Sequence, residues 1–254
     1  MPDSSDILDI EEEQPVKPKR ALTFPAAALL FVVFAALAGL NSPYFRVHGV
    51  TVQGANYLSD QEILLIADVP REVNIFLVRT REIRRRLMAA PRISSAAVER
   101  VCPDTIRISL TERATVAYIP YAGFFIEVDA DGRAVAVSEA ITDRDIPVIV
   151  GLAPSYVAVG EAVRPEGPVM VGSMVGRELA MRQIPNISEV DVSRKDDIVV
   201  RTSDGIKVYM GKPADVESRA RVLDSILASV REQGLDVEYI DIRVEAKPVI
   251  RVRR

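Results

Sequence analysis

One cysteine and one histidine among 254 residues exclude an internal disulfide, a Cys/His metal cage and, in practice, a Ser-His-Asp or Cys-His triad. There is also no excess of positive charge. Thirty-two basic residues against 36 acidic ones leave a net charge of −4. A nucleic-acid partner is therefore not expected, because phosphate binding needs a concentrated basic footprint. Neither a Gly-x-Ser-x-Gly elbow nor a P-loop lysine pattern occurs. Asp129-x-Asp131-Gly132 has the start of a calcium loop but lacks the downstream ligands, so a hairpin turn accounts for it better. His48 has no second histidine nearby, and Cys102 reads as a small packed residue at a strand end. No cofactor or metal is implied.

What the chain does have is one long apolar run. Residues 1–20 hold six acids, three bases, Pro15 and Pro18, with little apolar bulk, and read as a disordered tail. After Arg20 no charge appears until Arg46, and Phe24 to Leu40 is almost wholly Ala, Leu, Val and Phe. That length suits a membrane span, expected over 21–43, with Pro25 in the tolerated first turn. Lys17, Lys19 and Arg20 precede the run, so the positive-inside rule keeps the N-terminus cytoplasmic and exports the rest. A cleaved signal peptide ending near Ala36-Leu37-Ala38 is the rival reading; the long acidic leader and the length of the run oppose it.

The exported part changes character near Arg113. Residues 46–113 carry net +3 and residues 114–254 net −4. In the first stretch, Phe45 and Val47 alternate, then Val50 and Val52 on the other parity, which predicts a strand bulged at Gly49. Ser59-Asp60-Gln61-Glu62 is a capping box ahead of the apolar Ile63 to Ile66. A second helix is expected from Thr80, with Ile83 and Leu87 on one face, ending before Pro91. Strands over 96–102 and around Ile106, Ile108 and Leu110 complete a β-α-α-β-β order. The second stretch reads as strands over 115–120, 124–128 and 133–137, then a helix over 172–183. Strands follow over 187–192, 197–202 and 206–210. A helix over 214–232, stopped by Gly234, precedes strands 239–244 and 249–252. The fold class is α+β, with a mostly antiparallel sheet in the larger part.

These segments resemble the FtsQ/DivIB bacterial cell-division proteins. Tyr44-Phe45-Arg46-Val47 through Val50-Thr51-Val52-Gln53-Gly54 and Leu58-Ser59 is similar to the opening of that family's POTRA domain. Pro103, Thr105, Ile108, Glu112 and Arg113 fit its P-x-T-x-x-I-x-x-x-E-R end. Phe125 to Asp129 with Gly132, Ile146 to Gly151, and Ile240 to Arg243 with Pro248 to Ile250 are similar to later family segments. Ala114 to Ala117 departs from it, where a proline more often follows Glu-Arg.

The resemblance implies a POTRA domain over 44–113 and a β-domain over 114–254. It implies a bitopic septal scaffold rather than an enzyme, with FtsB/DivIC-like and FtsL-like division proteins and other divisome members as partners. In that family the partner adds a strand near the C-terminus. The matching positions are Lys247, Pro248, Val249, Ile250, Arg251 and Val252, with Tyr239 and Arg243 on the preceding strand. Separately, Arg81, Arg84 and Arg85 form a basic cluster, read first as a wet helix face and second as a recruitment or lipid-headgroup face. A POTRA-bearing transport component is the alternative function, although 141 residues after Arg113 leave little for a long barrel. An exported enzyme is a weaker alternative still, for want of a convergent catalytic set.

Overall fold

The computed structural model describes residues 23–155 and 157–253, so the tail expected over 1–20 lies outside the described residues. Helix α1, Thr23–Leu40, is apolar all round and offers no polar face to turn away from a protein core. Its side chains from Pro25 onward are exposed. No helix among the described residues is long and apolar enough to cross a membrane. The eighteen residues of α1 rise about 27 Å, just short of a roughly 30 Å hydrocarbon core. Residues 21 and 22 of the expected span lie outside the described residues. Its end unwinds, because Ser42 caps a 3-10 turn over Pro43–Phe45 that takes the chain off the helix.

The next five elements run β1 (Gly49–Gln53), α2 (Asp60–Ala67), α3 (Thr80–Met88), β2 (Ile93–Val101) and β3 (Thr105–Glu112). The sheet order is β1-β3-β2, with β1 parallel and β2 antiparallel to β3. The bulged strand expected from Phe45 to Val52 is not formed. Phe45 closes the 3-10 turn, and the Val47 N–H donates to the Val73 carbonyl; only from Gly49 does the chain run along β3. The capping box is present: Ser59 Oγ accepts from the Glu62 N–H at 3.3 Å, and Glu62 accepts the Ser59 N–H at 2.8 Å. Ile63 and Ala67 are buried, but Leu65 is 81% exposed. At 100° per residue, four successive apolar side chains cannot all face one core.

Glu112 explains part of the Glu-Arg motif. Its carboxylate accepts the N–H groups of Asn56, Tyr57 and Leu58 at 2.8, 2.6 and 2.9 Å, closing the loop after β1 onto β3. Gly54 enters that loop at φ +86°, where a side chain would run into the Leu110 carbonyl.

Nine strands form the larger sheet. They are β4 (Ala117–Tyr121), β5 (Phe124–Val128), β6 (Ala134–Ser138), β7 (Val148–Val150), β8 (Ile187–Asp191), β9 (Ile198–Thr202), β10 (Lys207–Gly211), β11 (Val237–Asp241) and β12 (Val249–Val252). The order is β12-β11-β10-β9-β8-β7-β4-β5-β6. The pairs β4/β7, β7/β8 and β10/β11 are parallel, and the rest antiparallel. Helix α4 (Glu166–Met181) links β7 to β8, and α5 (Val216–Gln233) links β10 to β11. These crossovers are what parallel neighbours require. Val175 and Leu179 of α4 share one core with Leu223 and Leu227 of α5 and with Val200, Val208 and Ile240 of the strands.

Helix α4 starts six residues earlier than its pattern suggests, since Gly167 and Pro168 fall in a first turn that tolerates them. Its Gly172 and Gly176 sit where a Cβ would strike Ile149 and the Val116 carbonyl, so the pair sets how closely the helix lies on the sheet. Between the two sheets, Arg92 donates to Thr115 Oγ1 at 2.9 Å and to Glu127 at 2.5 Å. Arg113 pairs with Asp129 at 2.8 Å.

Candidate partner-binding edge

Strand β12 ends the nine-stranded sheet. Among the described residues its only strand neighbour is β11, in the register Val237↔Val252, Tyr239↔Arg251, Ile240↔Ile250 and Asp241↔Val249. All four residues of β12 are exposed. An edge strand keeps one row of N–H and C=O groups unpaired by its sheet, the arrangement to which another extended chain can add. Lys247 and Pro248 lead into it: the Lys247 N–H donates to the Val244 carbonyl at 3.0 Å, and Pro248 stands just before the first ladder residue, where a missing donor costs little.

The strands beside β12 show their alternation in burial. Val208 and Ile240 are fully buried, while Tyr209 and Tyr239 are half-buried on the opposite face. Those two rings meet edge to face at 6.0 Å. Arg251 lies opposite Tyr239 and pairs with Glu238 at 3.0 Å.

Arg243 is not on the preceding strand, as its sequence position suggests, but just beyond it. The Asp241 side chain accepts the Arg243 N–H at 3.1 Å and ends β11 there. The guanidinium then folds back onto Asp241, at 2.6 Å for the shortest contact, and lies 5.3 Å from the centre of the Tyr209 ring. The hydrogen bond from Arg243 holds the Asp241 carboxyl below the usual carboxylate range and raises the arginine's own pKa.

Sequence reasoning missed Arg219, which holds this corner together. It is 7% exposed and donates to the carbonyls of Met210 (2.6 Å), Lys212 (3.1 Å) and Arg243 (3.2 Å) and to Asp215 (2.8 Å). Ser218 hydrogen-bonds Glu245 nearby. The signal was present: Arg219 lies four residues before Leu223, on the apolar stripe of α5, where a charge has to find partners.

The basic cluster on α3 divides. Arg84 Nε donates to the Ala96 carbonyl of β2 at 3.0 Å, and so anchors the helix. Arg81 and Arg85, exposed as Arg84 is, make no such hydrogen bond among the described residues. His48 sits between Glu72 (3.7 Å) and Asp104 (3.9 Å), ahead of β1 rather than on it. No cluster of three metal-ligating side chains occurs among the described residues. Asp129 Oδ1 accepts the N–H groups of Asp131 and Arg133, both at 2.9 Å, which makes the Asp-rich segment a hairpin turn. Cys102 is exposed, not packed, because β2 has ended one residue before it.

Residues 45–113 match the family model of the FtsQ-type POTRA domain, and residues 117–243 match the C-terminal model of the cell division protein FtsQ/DivIB. The cell division protein FtsQ of Streptomyces collinus is 30% identical over 229 residues, covering 87% of this chain and 84% of its own. FtsQ of Streptomyces venezuelae is 29% identical, covering 90% and 83%. DivIB of Clostridium tetani is 22% identical, covering 83% and 81%. A small three-stranded unit and a nine-stranded one, matched in tandem by these two models and by relatives along most of their length, make this chain a member of the FtsQ/DivIB family of cell-division proteins.

Proposed function

We propose that the chain is a single-pass membrane scaffold of the bacterial division machinery. The apolar run over 21–43 anchors it, with the N-terminus in the cytoplasm. A POTRA domain over 44–113 and a β-domain over 114–254 stand on the outer side of the cytoplasmic membrane, at the septum. FtsB- or DivIC-like and FtsL-like division proteins add as an extended segment along β12, linking early and late members of the divisome. The FtsQ/DivIB family is not a known enzyme family, and the reading calls on no catalytic group.

One observation carries this: β12 is an exposed terminal strand with β11 on one side and no strand on the other among the described residues. Strand addition draws affinity from backbone hydrogen bonds and selectivity from side chains such as Ile250, Arg251 and the neighbouring Tyr239. Ile250→Pro removes a backbone donor from β12 and puts a ring in the way of pairing. It should abolish recovery of the FtsB- and FtsL-like partners in a pull-down while melting within about 1 kcal/mol of the parent. Unchanged recovery by the folded variant sinks the edge assignment. A fluorescent fusion at the C-terminus should form a midcell band; a uniform envelope signal contradicts the septal role, and a cytosolic C-terminus contradicts the topology.

A further inference from the structure

The end of α1 is fastened to the small unit. Asn41 Nδ2 donates to the Leu37 carbonyl at 3.1 Å, and Asn74 Nδ2 donates to the Leu40 carbonyl at 2.5 Å, so side-chain amides cap the last turn of the apolar helix. Asn74 also opens a second 3-10 turn, Ile75–Leu77, by accepting the Phe76 N–H at 2.9 Å. Phe76 therefore lies within about 7 Å, along the chain, of the residue tied to the helix end. Its ring packs on Phe45 at 5.4 Å, and Phe45 packs on Tyr44 at 5.4 Å.

The outcome is an apolar patch in an unusual place for a wet domain: Tyr44 is 67% exposed, Phe76 45% and Leu77 70%. Arg46, Arg71, Arg79 and Arg81 flank it in the chain against Glu72 and Glu82; Arg79 shares its guanidinium with Glu82 at 3.1 Å but stays largely exposed. Aromatic and aliphatic side chains backed by long cations match a bilayer interface, where rings sit at headgroup depth and arginines reach phosphates.

We infer that Tyr44, Phe76 and Leu77 seat in the outer surface of an anionic phospholipid bilayer, with Arg79 and Arg81 on its headgroups. The small unit is then held against the membrane rather than swinging above it. This rests on α1 being the anchor. The chain contains no tryptophan, so one introduced indole reports alone. Full-length Leu77→Trp, Phe31→Trp and Phe124→Trp are each reconstituted in vesicles of phosphatidylcholine and phosphatidylglycerol with bromine near the headgroup end of the acyl chains.

Leu77→Trp should emit to the blue of Phe124→Trp and be quenched at least about twofold more. Quenching of Phe31→Trp with none at Leu77→Trp overturns the seating and leaves the anchor standing. No quenching at Phe31→Trp overturns the anchor and the seating together. Replacing phosphatidylglycerol by phosphatidylcholine, or adding Arg79→Gln and Arg81→Gln, should lower the Leu77→Trp quenching. Equal quenching in those arms refutes the role given to the two arginines.

Discussion

The small and large units use arginine differently. In the small one, Arg84 reaches the Ala96 carbonyl, Arg100 reaches the Ile75 and Val78 carbonyls, and Arg86 reaches the Asp68 carbonyl. Cations there staple helices and turns to the three-stranded sheet and to one another, and its edges carry no strand as exposed along its whole length as β12. In the large one, a single near-buried cation, Arg219, ties β10, α5 and the segment after β11 into one corner, and the strand beyond that corner lies bare. The buried hydrogen bonds of Arg219 are thus concentrated inward of the proposed contact. Low-stability elements are where ligands commonly act, and a rigid neighbour keeps such an element in register without covering it.

Three substitutions test that contrast, taken from the largest expected effect. Arg219→Leu removes the donors used by the Met210, Lys212 and Arg243 carbonyls, while the half-exposed Asp215 turns to solvent. It should cost about 3–5 kcal/mol in the unfolding of the large unit. Hydrogen exchange should show β10 to β12 opening first while β1 to β3 keep their protection. Exchange rising evenly in both units would erase the contrast. Gly54→Ala acts on the other unit: a Cβ at φ +86° against the Leu110 carbonyl should cost about 2–3 kcal/mol. The exchange pattern should then be the mirror image, with β1 and the loop to α2 opening and β12 unchanged.

Asp241→Asn is the mildest. Because Arg243 holds the Asp241 carboxyl low, the pair adds stability above the ordinary carboxylate value of about 3.9, and that contribution drains away as pH falls through the depressed one. With Arg243 half exposed, screening keeps it under about 1 kcal/mol. Urea midpoints of parent and variant should differ at pH 7, and the gap should narrow as pH falls below the ordinary carboxylate value.

Local rules carried much of the fold in the sequence. The capping box at Ser59, the Ile83/Leu87 face of α3, the alternation of β3 and the Gly234 stop of α5 all stand where their chemistry puts them. The bounds of β12 agree as well, although the order of the sheet that makes it an edge depends on distant pairings that no local pattern encodes. The misses are of the same kind. Phe45 and Val47 alternate like a strand, but Pro43 and the contacts to Val73 and Phe76 decide otherwise. The resemblance puts Arg243 on the strand before β12 as a partner position, and nothing local shows it beyond that strand and already engaged by Asp241 and Tyr209. Arg219 showed only as a charge out of place on a helix stripe, its partners coming from three separate segments.

The place of β12 at the sheet edge also bears on how the molecule would answer tension. A chain laid alongside β12 and drawn lengthwise would load the ladder in shear, with its bonds sharing the pull. The same chain lifted away from the edge would unzip them one after another. β11 would pass such a load through its parallel neighbour β10 and the α5 crossover into the middle of the sheet, with the Arg219 corner as the rivet. During constriction of an envelope, a lengthwise joint of that design would hold under traction and release when peeled.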